Sequence, residues 1–221
     1  MYNYLIKFFM YLLGFIIIDK SLGNKIKGKY YLVHFLNNMY IVYLCLPDVY
    51  FSYFHFNDFI KYPSNYEAAI ITFAIHFYHT IIYWNKLRYD DLLHHILMIL
   101  VALPISFLAK TGSLLGHSLF YTTGLPGGID YLMLVLVRNG IINKLTEKKV
   151  NNYLNLWIRC PGCIAHGTLT LVGYNMVKDI ECISIYCFYY YVITGLIVFW
   201  NGIYFMNQVV VNYSLVSHKR E

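Results

Sequence analysis

The residues with the most chemistry per position are Asp90, Asp91, His94 and His95, which lead straight into an apolar run ending at Ala109. A run of that length is long enough to cross most of a bilayer. Ionisable groups just inside such a helix are costly to desolvate, which marks them as functional candidates. On a helix Asp90 lies four residues before His94, and Asp91 three before His94 and four before His95, so both carboxylates reach the imidazoles. A carboxylate beside an imidazole fixes its tautomer and raises its basicity. That prepares a general base or an acyl-accepting nitrogen. The plainer alternative is a helix end whose acids complement the dipole and whose histidines face the interface.

Further polar residues are embedded in apolar stretches. Asp130 supplies a partner carboxylate for the His94–His95 pair on a facing helix. Such a set could deprotonate an amine or hydroxyl attacking a thioester, or carry an acyl group transiently. It could equally be a buried network that fixes helix packing. His79 and Arg159 are candidates for substrate binding. Arg159 suits a phosphate or carboxylate head group, or snorkels to the interface. Cys160-Pro161-Gly162-Cys163 has the spacing of a redox dithiol but sits in an apolar span, where Pro161 and Gly162 soften a helix. Adding His166 gives three zinc-type ligands without a fourth. His76-x2-His79 with His94-His95 falls short of the histidine boxes of di-metal membrane oxidases, so no metal is expected.

The whole composition asks for a membrane. Of 221 residues 59% are hydrophobic and 13% charged, against about 25% charged in soluble domains, and the mean hydropathy is +0.51. The net charge of +6 is not gathered into a basic patch alternating with aromatics on a soluble domain, so no nucleic-acid partner is expected. Five cysteines without a secreted soluble domain do not make a disulfide scaffold.

Hydropathy predicts an all-α, multi-pass bundle of about seven transmembrane helices. The spans are Tyr4–Ile18 (a first helix or signal anchor), Tyr30–Leu46 ended by Pro47, Tyr66–Trp84, Asp91–Ala109 kinked at Pro104, Ser113–Val137, Leu154–Met176 and Ile183–Met206. Residues 48–65 read as an interfacial loop or short helix. Gly124-Leu125-Pro126-Gly127-Gly128 predicts a break of the fifth span into two half-helices, and residues 138–152 a basic loop. The organisation is then residues 1–29 as a first helix with its basic loop, 30–206 as the main domain and 207–221 as a tail.

The basic residues orient that bundle. Segments 19–29, 85–91, 138–153 and the tail hold four, two, four and two lysines or arginines, whereas the intervening loops hold only Lys61, Lys110 and Lys178. By the positive-inside rule the N-terminus is lumenal and the C-terminus cytosolic. His79, His94, His95, Asp130 and Arg159 then come from four spans yet share one depth in the cytosolic half, while His117 and His166 do not. That convergence predicts a polar cavity opening to the cytosol.

The acids followed by His94-His95 at the start of a span, with Gly128-Ile129-Asp130-Tyr131 further on, resemble the TLC domain (TRAM, Lag1 and CLN8 homologues) over about residues 30–206. The resemblance implies a six- or seven-helix bundle in the endoplasmic reticulum or a derived membrane, acting on lipids. Its ceramide synthases are acyltransferases that move an acyl group from acyl-CoA to a sphingoid amine, with paired histidines and a downstream aspartate in the site. His94, His95 and Asp130 would hold those roles. Met98, the lone Asp130 and the glycine-rich break make the chain more similar to the small TLC-only proteins tied to membrane lipid composition. The expectation is therefore a lipid-binding protein of lipid metabolism or lipid homeostasis. The alternatives are an acyl-CoA-dependent N-acyltransferase and a non-catalytic membrane adaptor. Membrane lipids are the expected partners, acyl-CoA the candidate co-substrate in place of any bound cofactor, and a homo-oligomer is left open.

Overall fold

Long apolar stretches in this chain have one way to satisfy their backbone, and they take it: every long element is a helix. The structure, a computed structural model, describes residues 2–23, 26–87, 89–178 and 185–218; the side chains of Lys86, Asp90, Asp91 and His94 lie outside the described residues. Among the described residues there is no strand. Helix α1 is Tyr2–Leu22, α2 Lys29–Phe54 and α3 Tyr66–Tyr83. Three segments continue into one another as α4 (89–108), and α5 is Leu114–Arg138. Helix α6 covers 144–177 and α7 is Ile185–His218. A 3-10 helix, Phe56–Lys61, links α2 to α3.

Helices α2, α5 and α7 are long and apolar enough to cross a membrane, the mark of a membrane protein, and His95–Leu108 within α4 is apolar but shorter.

Local chemistry sets the ends. Asn65 caps α3 by accepting from the Ala68 amide at 3.2 Å, and Asn143 caps α6 through the Thr146 amide at 2.8 Å. Glu67 and Glu147 stand in those first turns, where the helix dipole favours an acid. Gly140 closes α5 at φ 74°. Around it Ile141 N–H donates to Leu136 and Gly140 N–H to Val137, the double bond of a Schellman stop.

Several expected breaks are absent. Pro47 does not end α2, which runs on to Phe54, so residues 48–54 prolong that helix, while Phe56–Lys61 is a short helix of the kind expected within 48–65. The glycine-rich run does not split α5 into half-helices; the chain turns through a π-helical stretch, Phe120–Gly124, and continues. The second basic loop shrinks to residues 139–143 because α6 starts at Lys144, and residues 207–218 of the expected tail prolong α7.

Among the described residues four π stretches occur: His95–Ala102, Phe120–Gly124, Asn155–Arg159 and Tyr189–Thr194. In the first three a proline (Pro104, Pro126, Pro161) follows two residues after the stretch ends. The ring of a helical proline collides with the carbonyl four residues back. That carbonyl belongs to Leu100, Thr122 or Trp157, each inside its π stretch, and the wider turn makes room for it. The kink expected at Pro104 is thus a change of helical register.

The glycines of the run have a packing role. A Cβ on Gly127 would come 2.7 Å from the Asn38 Nδ2, and one on Gly128 would come 3.0 Å from the Met39 Sδ, so both let α2 lie close against α5. Gly162 likewise receives the Tyr121 ring, which gives the Cys-Pro-Gly-Cys run a structural reading. Cys160 and Cys163 are free and buried.

Helix α1 belongs to the fold. Leu12 and Phe15 enter the main core, with Ile75 and Tyr78 of α3 and Ile41 of α2. Glu67 takes Lys7 and Tyr11 at one end of the α1–α3 contact. At the other end buried Asp19 accepts from the phenols of Tyr78 (2.9 Å) and Tyr83 (2.7 Å) and pairs with Lys29 at 3.0 Å.

Candidate functional site

Three of the expected polar residues, His79, Asp130 and Arg159, line one cavity of about 1370 Å³, and His95 packs on the lining residues His76 and His79. Its lining follows α5 from Leu115 to Arg138 and α7 from Tyr190 to Leu215. At about 1.5 Å per residue that is a run of some 35 Å, close to the thickness of a bilayer. All four π stretches contribute lining residues: Met98, Thr123, Arg159 and Tyr190 come one from each. A π turn rotates the residues that follow it, and such turns recur at functional sites.

Two clusters occupy the end bearing the basic loops. The first is made of imidazoles and phenols. His95 meets the rings of His79 (5.0 Å between centroids) and His76 (5.3 Å), and His79 meets His34 (5.5 Å). The Tyr30 phenol lies 3.0 Å from His79 Nδ1, and Tyr131 packs on His34 at 4.8 Å. Two tautomers are fixed by the backbone. His34 Nδ1 donates to the Tyr30 carbonyl at 2.9 Å and His76 Nδ1 to the Thr72 carbonyl at 2.7 Å. In each case Nε2 is then the nitrogen without a proton.

The second cluster is charged. Asp130 feels the charges of Arg159, Glu147 and Lys148. Arg159 donates to Asn155 at 3.3 Å, and its Nε has no hydrogen-bond partner among the described residues. Asn38 sits between the helices, accepting from Asn37 at 3.0 Å and from Thr123 at 3.3 Å. The cavity rim adds Lys27, Lys29 and Arg138, so five cations face two carboxylates, Asp130 and Glu147. An anionic group is favoured there. Further along, the walls turn aliphatic with Ile75, Ile99, Leu103, Leu115, Leu119 and Val198.

The structure therefore places His79, Asp130 and Arg159 on the walls of one cavity, with His95 reaching it only through its contacts with His76 and His79. The side chains of His94, Asp90 and Asp91 lie outside the described residues, so the acid–imidazole pairing expected there has no geometry to report. Asp130 reaches the histidines by way of its neighbour Tyr131, which touches His34. His117 and His166 stand apart, as their depth required, stacked on each other at 5.5 Å. No three described His, Cys, Asp or Glu residues are arranged to hold a metal ion.

Sequence reasoning missed His34, Asn37 and Asn38, all buried on α2. Their spacing was the available signal. Three polar residues at helical spacing inside an apolar span mark a face that cannot be turned to lipid.

No family model, curated protein or solved structure matches the chain.

Proposed function

We propose that the chain is a multi-pass, TLC-type integral membrane protein that holds a lipid or acyl chain in this cavity and acts in lipid metabolism or lipid homeostasis. The observation that carries the reading is the graded lining. Cations, two carboxylates and imidazoles stand at one end, and beyond them the walls carry Ile75, Ile99, Leu103, Leu115, Leu119 and Val198 with uncharged hydroxyl groups between, the polarity profile of an amphiphile. The seven long helices among the described residues suit seven spans, with α1, α3, α4 and α6 joining the three most apolar ones. The distribution of lysine and arginine favours a lumenal N-terminus and a cytosolic C-terminus, and the resemblance favours the endoplasmic reticulum.

A second reading has its own support. The tautomers of His34 and His76 fixed by backbone carbonyls, beside His79 and His95, suit proton abstraction from an amine or hydroxyl. In that reading His94 or His95 is the base or acyl carrier of an acyl-CoA-dependent N-acyltransferase, with Asp130 as partner.

Membranes expressing wild type, His79→Ala, His95→Ala or Asp130→Ala, fed labelled acyl-CoA and a sphingoid base, separate these by lipid mass spectrometry. A shift in phospholipid or sterol composition that the variants lose is the expected result. A labelled amide made only by wild type would establish the acyltransferase. Identical lipid profiles from folded wild type and variants would leave the cluster as helix packing alone and overturn the proposal.

A further inference from the structure

The aliphatic walls do not continue to the end of the cavity. At the far end, remote from the basic loops, stand the hydroxyl groups of Ser106 on α4, Ser118 on α5, and Tyr190 and Thr194 on α7. Ser106 and Ser118 are spent locally, donating to the carbonyls of Leu103 (2.5 Å) and Leu115 (2.8 Å) three residues back. Tyr190 and Thr194 are not. Tyr190 is 1% exposed and Thr194 4%, both line the cavity, Thr194 Oγ1 has no hydrogen-bond partner among the described residues, and Tyr190 Oη is within reach of the Ser118 hydroxyl, which is itself donating to Leu115. A buried hydroxyl left unpaired costs about 1–3 kcal/mol, so Thr194, with Tyr190 one helical turn away, offers bonding capacity that a group in the cavity can take up.

We infer that the floor of the cavity is a second polar subsite, which takes a hydrogen-bonding group at the distal end of the bound chain. The ligand class is an amphiphile polar at both ends: an anionic head at the Arg159–Lys148 end and a hydroxyl or carbonyl at Tyr190 and Thr194. The spacing suits a long chain. From Ser118 to Asp130 along α5 is twelve residues, or about 18 Å at the helical rise. A chain ending in a methyl group would bury the two hydroxyls against hydrocarbon, whereas an ω-hydroxyl can accept from one and donate to the other. This inference rests on the proposal that the cavity holds an acyl chain.

The test is competition binding to the purified full chain in nanodiscs, with palmitate and ω-hydroxypalmitate as probes. Wild type is expected to prefer the ω-hydroxy chain by about tenfold. Tyr190→Phe/Thr194→Val should erase the preference, the two probes then binding alike, with a wild-type circular dichroism melt showing that the variant is folded. Equal affinity of wild type for both probes would overturn the polar floor and leave the acyl-chain reading standing, with ordered water as the partner of the two hydroxyls. Failure of wild type to bind either probe would overturn the acyl-chain reading and the floor with it.

Discussion

Asp19→Ala is expected to destabilise the protein by about 3 kcal/mol, because it removes the buried carboxylate that two phenols and an ammonium share and strands the phenol of Tyr78. Asp19 is 5% exposed and ends α1. It holds the phenols of Tyr78 and Tyr83 and the Lys29 ammonium at once, tying α1 to α3 and to the start of α2. Tyr78 is fully buried and, once released, has no water to turn to. Asp19→Asn keeps an acceptor for the phenols but loses the ion pair, so its effect should be smaller. Thermal melts in detergent, followed by circular dichroism, give the order wild type, Asp19→Asn, Asp19→Ala. Equal melting temperatures for wild type and Asp19→Ala would show that α1 is not held this way.

Gly112→Val should be at least as damaging, for a reason fixed in the backbone. Gly112 has φ 56°, where a β-branched residue is strained. A Cβ there would come 2.0 Å from the Phe59 carbonyl oxygen. That oxygen also accepts from the Ser113 amide at 3.2 Å, and the Gly112 amide donates to Ser64 at 3.0 Å. The α4–α5 turn is thus seated on the 3-10 helix, and a side chain there must part the two backbones. A loss of about 3 kcal/mol is expected, adding left-handed strain to a clash that no rotamer relieves. Gly140→Ala is the control. Gly140 is also left-handed but meets nothing within 4 Å, so only the smaller strain should appear in the same melts.

Hydropathy located the helices well because lipid-facing and core-facing residues are both apolar, and long runs of them have no alternative to helix. The expected start at Tyr66 is also the observed one, and the other helices begin within a few residues of their hydropathic limits except α6. Helix α6 begins ten residues earlier than Leu154, because Asn143 caps a polar first half that hydropathy reads as loop. Proline and glycine misled for a related reason. Pro47, Pro126 and the glycines beside it are punctuation in water, but in a bundle a lost backbone bond is absorbed by a π turn or by neighbouring helices. The site was legible where charge made it visible, at His79, His95, Asp130 and Arg159. His34 and Asn38 were hidden because a single polar residue in an apolar span carries no pattern until its neighbours on the same face are read with it. The π stretches left no sequence trace beyond the prolines that follow three of them.

The central claim is that the cavity, not the outer surface of the bundle, holds an acyl chain. Photo-crosslinking of the purified protein with a diazirine-bearing fatty acid, followed by peptide mapping, tests it most directly. Labelling is expected at cavity-lining positions such as Ile75, Ile99, Leu119 and Val198, suppressed by excess unlabelled fatty acid. Labelling confined to outward-facing Leu196 and Trp200, and not suppressed by competitor, would contradict it.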